Sequence, residues 1–460
     1  MREFNRRGNQ GKDRNLRTSD LKISISGIRG IVGQSLTPQL ILKFSEAFSS
    51  FIGEGEIGVA TDTRPSGSML KYAVFSGLLS CGAIPVDMGI LPIPSLQVYV
   101  KSKHLRGGIS ITASHNPVEW NALKLIKNGG FFLSPYEAEE LLDYYYQGRF
   151  KRVAQSGIIK KEGHPFQIHE TKILDFIQGD LIANKQLKVI VDPCGGAASP
   201  YVKSFLEQLG VEVKCINCGL SNGFPRNPEP LPQNITALSE SVKKHGADIG
   251  FAQDADADRL AVVDEKGSPI GEEYTLALAI QYYLNHKQKT PVVINLSTSR
   301  VIQDISEKAG VELIRTKVGE INVSKKMLDT GSKIGGEGNG GIIAADIHAC
   351  RDSFVGMALI LEYLAVSGKK TSQLKSALPY YKMIKDKIKA NFNDRKRILH
   401  LIQAKFDQGQ TNTEDGLKVE YPDFWLHVRP SNTEPVMRII IEGKNDRLVE
   451  SIYSEIKECL

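Results

Sequence analysis

Apolar and polar positions along this chain fall into a block pattern that recurs three times. Continuous apolar runs stand at Ile57 to Ala60, Leu187 to Val191 and Pro291 to Leu296. Each is followed by a short polar loop: Thr61 to Ser66, Asp192-Pro-Cys-Gly-Gly, and Ser297-Thr-Ser. A helical segment follows each loop and stops at Cys81-Gly82, Leu209-Gly210 and Ala309-Gly310. A second apolar run comes next, at Ile84 to Val86, Val211 to Ile216 and Val311 to Ile314. Unbroken apolar runs of this kind mark strands covered on both faces. A glycine just past a helix can take the left-handed conformation that ends it. The pattern predicts three α/β units with parallel strand pairs. The copies agree in pattern and do not align closely in sequence.

The chain closes differently. Lys418 to Phe424, Trp425 to Val428 and Val436 to Glu442 read as strands, and a helix is predicted from about Asp446 to Cys459. Leu448, Ile452, Ile456 and Leu460 line one face of it. Strands followed by a helix predict a smaller α+β domain, with the polar segment Ser367 to Ser372 leading towards it.

Composition narrows the class. With 460 residues, 41% hydrophobic and 24% charged, the chain suits a globular protein of two to four domains, at roughly 100–200 residues each. The longest apolar run, Met357 to Val366, is too short for a bilayer and contains Glu362. No apolar segment follows the charged N-terminus, so no secretory signal is expected and a cytoplasmic location is. Six cysteines are too few for a disulfide scaffold and suit a reducing compartment. Cys215 and Cys218 form a CxxC without a second pair or nearby histidines, so they read as small residues at a strand end rather than a zinc site. The net charge is +6, and residues 1–20 carry six Lys/Arg against three acidic residues. That stretch reads as a disordered basic tail. The modest excess elsewhere suits an anionic small molecule, with neither a nucleic-acid nor a membrane partner expected.

Four segments carry candidate chemistry. Thr112-Ala113-Ser114-His115-Asn116-Pro117 follows the apolar stretch Gly108 to Ile111, so Ser114 sits in a loop at a strand end, beside a histidine. The GxSxG elbow of a hydrolase is absent. Asp254-Ala-Asp256-Ala-Asp258-Arg259 ends the strand Ile249 to Ala252. Its alternating carboxylates bring three hard oxygens to one cation. An EF-hand is excluded because Arg259 stands where its glycine is needed. An aspartyl phosphatase with Asp254 as nucleophile remains an alternative. Gly335-Gly336-Glu337-Gly338-Asn339-Gly340-Gly341 reads as a glycine-rich loop offering one Glu and one Asn to hydroxyl groups. It is neither a dinucleotide fingerprint nor a Walker loop. Arg429-Pro430-Ser431-Asn432-Thr433-Glu434-Pro435 combines a guanidinium, two hydroxyls and an amide, the makings of a phosphate cradle. Ser26-Gly27-Ile28-Arg29-Gly30 adds a further arginine near the start.

In this order the segments resemble the α-D-phosphohexomutase superfamily, whose TASHNP-type, DxDxDR, GExxG and RxSxTEP loops all have counterparts here between Gly27 and Arg438. The resemblance implies four domains around a central cleft: three similar α/β domains with mixed sheets and a smaller C-terminal α+β domain. The expected boundaries are 21–157, 158–265, 266–375 and 376–460. It implies that Ser114 is the phosphoserine and that Ser114, Asp254, Asp256 and Asp258 hold one Mg²⁺ per site. Arg29, His115, Lys124 and Arg259 would surround the transferring phosphoryl group, with Lys124 as a candidate general acid/base. Glu337 and Asn339 would hold sugar hydroxyls, and Arg429, Ser431, Asn432 and Thr433 would grip the non-reacting phosphate. The implied reaction interconverts sugar 6- and 1-phosphates through a 1,6-bisphosphate, with glucose or glucosamine 1,6-bisphosphate as activator and a monomer or homodimer as the assembly. A sugar-phosphate sensor without turnover is the non-enzymatic alternative.

The sugar is read from departures. The family's usual GEMSGH or GEQSGH appears here as Gly336-Glu337-Gly338-Asn339-Gly340-Gly341, and its KTGH as Lys317-Val318-Gly319-Glu320, so two histidines are replaced. Together with Trp120-Asn-Ala-Leu-Lys124, this looks most like phosphoglucosamine mutase-like members, which feed UDP-N-acetylglucosamine synthesis. The phosphomannomutase/phosphoglucomutase branch is the alternative.

Overall fold

The computed structural model describes residues 21–24, 27–154, 157–220, 223–390, 392–431 and 436–458. The basic tail expected at 1–20 lies outside them, as do Ser26, Asn432 and Thr433. The chain folds into four units, each built on its own sheet.

The first three units share one strand order. In the first, Glu56–Thr61 lies between Ile84–Ile90 and Gly107–Ile111, all parallel, and Trp120–Lys127 runs antiparallel beside Gly107–Ile111. In the second, Lys188–Asp192 lies between Glu212–Cys215 and Ile249–Gln253, with Leu260–Asp264 antiparallel. In the third, Val292–Asn295 lies between Leu313–Thr316 and Ile334–Glu337, with Gly341–Ala344 antiparallel. The repeated strand–helix–strand pattern is thus the first half of a larger repeat. The helices Gly67–Ser80, Val202–Gln208 and Val301–Ala309 join the first two strands of each copy. The glycines after them, Gly82, Gly210 and Gly310, have φ of 81°, 77° and 69°. The first sheet is widened by Lys22–Ser24, Gly27–Ile31, Phe131–Phe132 and Lys160–Lys161.

The fourth unit is a five-stranded antiparallel sheet with the helix Asp446–Glu458 against it. Its strands run Leu417–Glu420 and Phe424–Pro430, so the break falls at Tyr421-Pro422-Asp423 rather than between Phe424 and Trp425. Pro422 has no N–H to donate to a ladder, which places the turn there.

One apolar cluster runs through the second and third units and into the first, joining Leu96, Phe205, Phe251, Leu276 and Phe354. The fourth unit keeps a separate core around Ile402, Leu426 and Ile441. The helix Ser353–Ser367, which contains the longest apolar run, is buried on all sides over most of its length. Among the described residues no helix is long and apolar enough to cross a membrane. Cys215 does end a strand, and its side chain lies against that of Cys218. Asn217, at φ 55°, makes the turn between them.

Candidate active site

Each of the first three sheets presents its chemistry at the same joint, the turn from the third parallel strand to the antiparallel fourth. In the first unit this turn carries Ser114, in the second the three aspartates, and in the third Gly338-Asn339-Gly340 just after Glu337. Parallel strands buried on both faces leave their polar residues at the ends, so these turns are where reactive side chains collect.

Ser114 is nearly buried and has a left-handed backbone, φ 49°. A non-glycine residue in that region is strained, and here the surroundings hold it there. Its N–H donates to Thr112 Oγ1 at 3.1 Å. Arg64 clamps the loop from below, donating through Nη2 to the carbonyls of Ser114 (2.7 Å) and Asn116 (2.8 Å) and through Nη1 to that of Pro117 (2.6 Å). Asp62 orients Arg64 through a 2.9 Å ion pair and accepts from Thr112 Oγ1. Sequence reasoning missed both residues. Their only signal was an Asp and an Arg within the polar loop Thr61 to Ser66. The result is a rigid perch that aims Ser114 Oγ at Asp254 Oδ2, to which it donates at 2.7 Å. His115 Nδ1 lies 3.4 Å from the same hydroxyl. Burial, with Arg259 and Arg29 nearby, pushes its pKa well below the ordinary histidine range, so the ring is neutral.

Asp254, Asp256 and Asp258 are all buried, and their carboxylate oxygens lie within 4.8 Å of one another. Burial, then Asp256 and Asp258, raise the pKa of Asp254 well above the usual carboxylate range. Asp256 Oδ1 and Asp258 Oδ1 are buried without a hydrogen-bond partner. Crowded hard oxygens with spare lone pairs fit a divalent cation. Among the described residues this is the one such cluster. Lys124 reaches it from the strand Trp120–Lys127, with Nζ 2.6 Å from Asp256 Oδ2 and 3.4 Å from Asp258 Oδ2. Burial works against its charge, but the two aspartates outweigh burial and raise its pKa. Arg259 flanks the trio, 3.9 Å from Asp258 Oδ1 and 3.4 Å from Glu229.

Glu337 is buried, and both of its oxygens have partners. Oε1 accepts from Asn295 Nδ2 and from the Gly319 N–H, each at 2.8 Å, and Oε2 accepts from Arg351 Nη1 at 2.8 Å. Arg351 also pairs with Glu320 at 3.2 Å and with Asp258. Arg351 and Glu320 are further site residues that sequence reasoning did not single out as functional. Asn339 folds back, accepting from the Gly341 N–H at 3.1 Å.

Arg429 lies near the end of the strand Phe424–Pro430, and its Nε is buried without a hydrogen-bond partner. Burial lowers its pKa, and neighbouring Arg438 adds to the effect. Ser431 is buried and donates its N–H to the Val436 carbonyl at 2.9 Å. Arg29 donates to Asn116 Oδ1. Arg29, Arg259 and Arg438 all bear on His115, so three guanidinium charges reach the cleft beside Ser114 together with the aspartates. The structure therefore gathers Arg29, Ser114, His115, Lys124, the three aspartates and Arg259 at one place. Glu337 joins them through Arg351.

Compared with known families, residues 21–152, 168–267 and 271–381 match the phosphoglucomutase/phosphomannomutase alpha/beta/alpha domains I, II and III, and residues 385–458 match the C-terminal domain. A probable phosphoglucosamine mutase of Methanopyrus kandleri is 33% identical over 94% of this chain and 95% of its own. A phosphoglucomutase/phosphomannomutase of Thermococcus kodakarensis is 36% identical over 91% of this chain and 94% of its own. Among solved structures, a phosphoglucomutase/phosphomannomutase family protein of Burkholderia thailandensis superposes with a TM-score of 0.84 at 28% identity, covering 95% of this chain and 97% of its own. An Aspergillus fumigatus N-acetylphosphoglucosamine mutase, solved with GlcNAc-6P and magnesium, has a TM-score of 0.63 at 14% identity and covers 96% of each chain.

Proposed function

The chain belongs to the phosphoglucomutase/phosphomannomutase family of the α-D-phosphohexomutases and is a sugar-phosphate mutase, and from that premise we propose that it interconverts glucosamine 6-phosphate and glucosamine 1-phosphate. Ser114 Oγ carries the phosphoryl group. A sugar hydroxyl attacks that phosphorus, the bond to Ser114 Oγ breaks, and a 1,6-bisphosphate forms. The intermediate turns over within the cleft and its other phosphoryl group passes to Ser114, so no phosphate is lost to water. The carrying observation is Ser114 Oγ held 2.7 Å from Asp254, at the edge of the aspartate trio.

Asp254, Asp256 and Asp258 would hold Mg²⁺, which supplies charge neutralisation at the transferring phosphoryl group. The Aspergillus relative's magnesium is in keeping with that choice. Arg29 and Arg259 bear on the same charge from the protein side. Lys124 would act as general acid/base at the sugar hydroxyl, its ammonium losing the support of Asp256 and Asp258 once those carboxylates hold the cation. Glu337 and Asn339 meet the sugar, and Arg429, Ser431, Asn432 and Thr433 hold the distal phosphate. That grip lends remote binding energy to orientation. Glucose or glucosamine 1,6-bisphosphate would restore phosphate to an empty Ser114. The reading includes a cytoplasmic monomer or homodimer divided at 21–157, 158–265, 266–375 and 376–460.

Two relatives with different names frame the sugar choice. The Methanopyrus protein favours glucosamine phosphate, and the Thermococcus protein favours glucose or mannose phosphate as a second reading. Comparing kcat/KM for glucosamine-, glucose- and mannose-1-phosphate, with catalytic bisphosphate present, decides between them. Ser114→Ala is expected to lower kcat by at least about 10⁴-fold while keeping sugar-phosphate binding. Intact-mass analysis during turnover is expected to find a phosphate-sized adduct on wild type and none on the variant. Undiminished turnover by the variant would sink the proposal.

A further inference from the structure

A guanidinium joins three of the buried carboxylates around this cleft. Arg351 ends the short strand His348–Arg351, and its side chain is 11% exposed. Nη1 binds Glu337 Oε2 at 2.8 Å, Nε binds Glu320 Oε2 at 3.2 Å, and Nη2 binds Asp258 Oδ2. The three partners come from the end of the strand Ile334–Glu337, the start of the helix Glu320–Thr330 and the aspartate loop. Glu320 in turn accepts from Gln97 Nε2 at 3.1 Å, so all three α/β units meet at this cluster.

The path of Arg351 depends on a missing side chain. A Cβ at Gly341 would lie 2.3 Å from Arg351 Cδ and 3.0 Å from its Cγ. The arginine therefore fills the space that a residue at 341 would otherwise take. The two departures noted in the sequence meet here: Gly341 leaves room for the guanidinium, and Glu320 pairs with it.

We propose that Arg351 is a positioning residue that sets the distance and angle between the cation-holding loop and the sugar-holding loop. The proposal rests on the mutase reading above. A planar fork with donors on three sides fixes three carboxylates in one geometry, which a lysine ammonium does not do. Glu337 Oε2 takes a single hydrogen bond from Arg351 and keeps a lone pair for a substrate hydroxyl. Asp258 Oδ1 stays buried without a hydrogen-bond partner, which leaves its lone pairs available to a cation. One side chain thus aligns the acceptor of the sugar with the ligand of the ion, and a shift of about 1 Å between them is enough to cost catalysis about 100-fold.

Arg351→Gln, Arg351→Lys and Gly341→Ala are compared with wild type on the full chain. Arg351→Gln is expected to lower kcat about 100-fold while KM for the sugar phosphate changes less than about threefold, because the distal phosphate grip is untouched. Arg351→Lys is expected to recover little of kcat. Gly341→Ala, which keeps the arginine but displaces it, is expected to show the same split, and the double variant Gly341→Ala/Arg351→Gln to be no slower than Arg351→Gln alone. A readout independent of turnover is a Mg²⁺ titration followed by thermal shift. Removing a cation beside Asp258 leaves the Mg²⁺ midpoint unchanged or lower, whereas a collapsed site raises it. Wild-type kcat in Arg351→Gln overturns the proposal, as does a raised Mg²⁺ midpoint or full recovery by lysine. An inactive wild-type chain overturns the mutase reading and this one with it, while an active wild type beside an equally active Arg351→Gln overturns this one alone.

Discussion

At position 418 a lysine stands 1% exposed against the Trp425 ring, its Nζ 4.7 Å from the ring centroid, with Glu420 as its ion-pair partner. Burial and then Arg315 outweigh Glu420 and pull its pKa down to about 7, from an ordinary 10.5. In the unfolded chain the lysine keeps its proton up to the higher value. Its contribution to stability is therefore present above pH 10.5 and is lost as pH falls through about 7. Wild type should gain stability from pH 7 to pH 10, with a slope of up to about 1.4 kcal/mol per pH unit from this group. Lys418→Met should lack that slope and melt higher near pH 7, as thermal unfolding across the window will show. No local pattern in the sequence records this, because the lysine is surrounded by segments that meet only on folding, Trp425 on the neighbouring strand and Arg315 of the third unit. The same holds for Arg64, which acts on Ser114 across 50 positions, and Arg351, which acts on Asp258 across 93. Ser114 and the aspartates were legible because each motif carries its chemistry within a few consecutive residues.

The helix Ser353–Ser367 depends on its first cap. Asp352 Oδ1 accepts from the N–H groups of Phe354 (2.9 Å) and Val355 (3.3 Å). Its Oδ2 lies 2.6 Å from His169 Nε2, whose Nδ1 lies 2.9 Å from Ser95 Oγ. This Ser–His–Asp chain is sealed from solvent, so it fastens three units together and meets no substrate. Asp352→Ala removes the cap, about 1 kcal/mol, and leaves the histidine short of a partner, about 1–3 kcal/mol more. Denaturant unfolding should report a loss of about 2–4 kcal/mol, and a loss below about 0.5 kcal/mol would contradict this account. Element positions were mostly readable from apolar blocks. The main exception is Ile334–Glu337, whose glycines suggested a loop although the segment is a strand. Gly335 is there because a Cβ would lie 2.2 Å from the Val293 carbonyl of the neighbouring strand, a crowding visible only once the strands are paired.

On the scale of the whole molecule, the second and third units share a core that extends into part of the first, the rest of the first packs in a core of its own around Phe44 and Ile109, and the fourth unit's core is separate again. What joins the fourth to the third is largely polar: Asp415 Oδ2 accepts from the Val318 N–H at 2.9 Å, Lys385 Nζ donates to the Gly338 carbonyl at 2.7 Å, and Ser297 Oγ meets His427 Nδ1 at 2.9 Å. A polar seam between separate cores opens at lower cost than a core does. Sugar phosphate bound by both sides should hold the seam shut. Amide exchange at Val318 and Gly319 should slow by at least about tenfold with saturating ligand, with little change at Val191 in the second sheet. Equal slowing at both places would instead indicate global stabilisation. The four-unit plan was legible from the three strand–helix–strand blocks and the distinct end. The seam was not, because no local pattern records which surfaces meet.

The shared joint between third and fourth strands has a consequence for how freely the tips can differ. Three tips leave three scaffolds of one design, so each can be rebuilt without disturbing the sheet beneath it. A serine, an aspartate trio and a glutamate occupy them. Variety at the tips thus needs no novelty below.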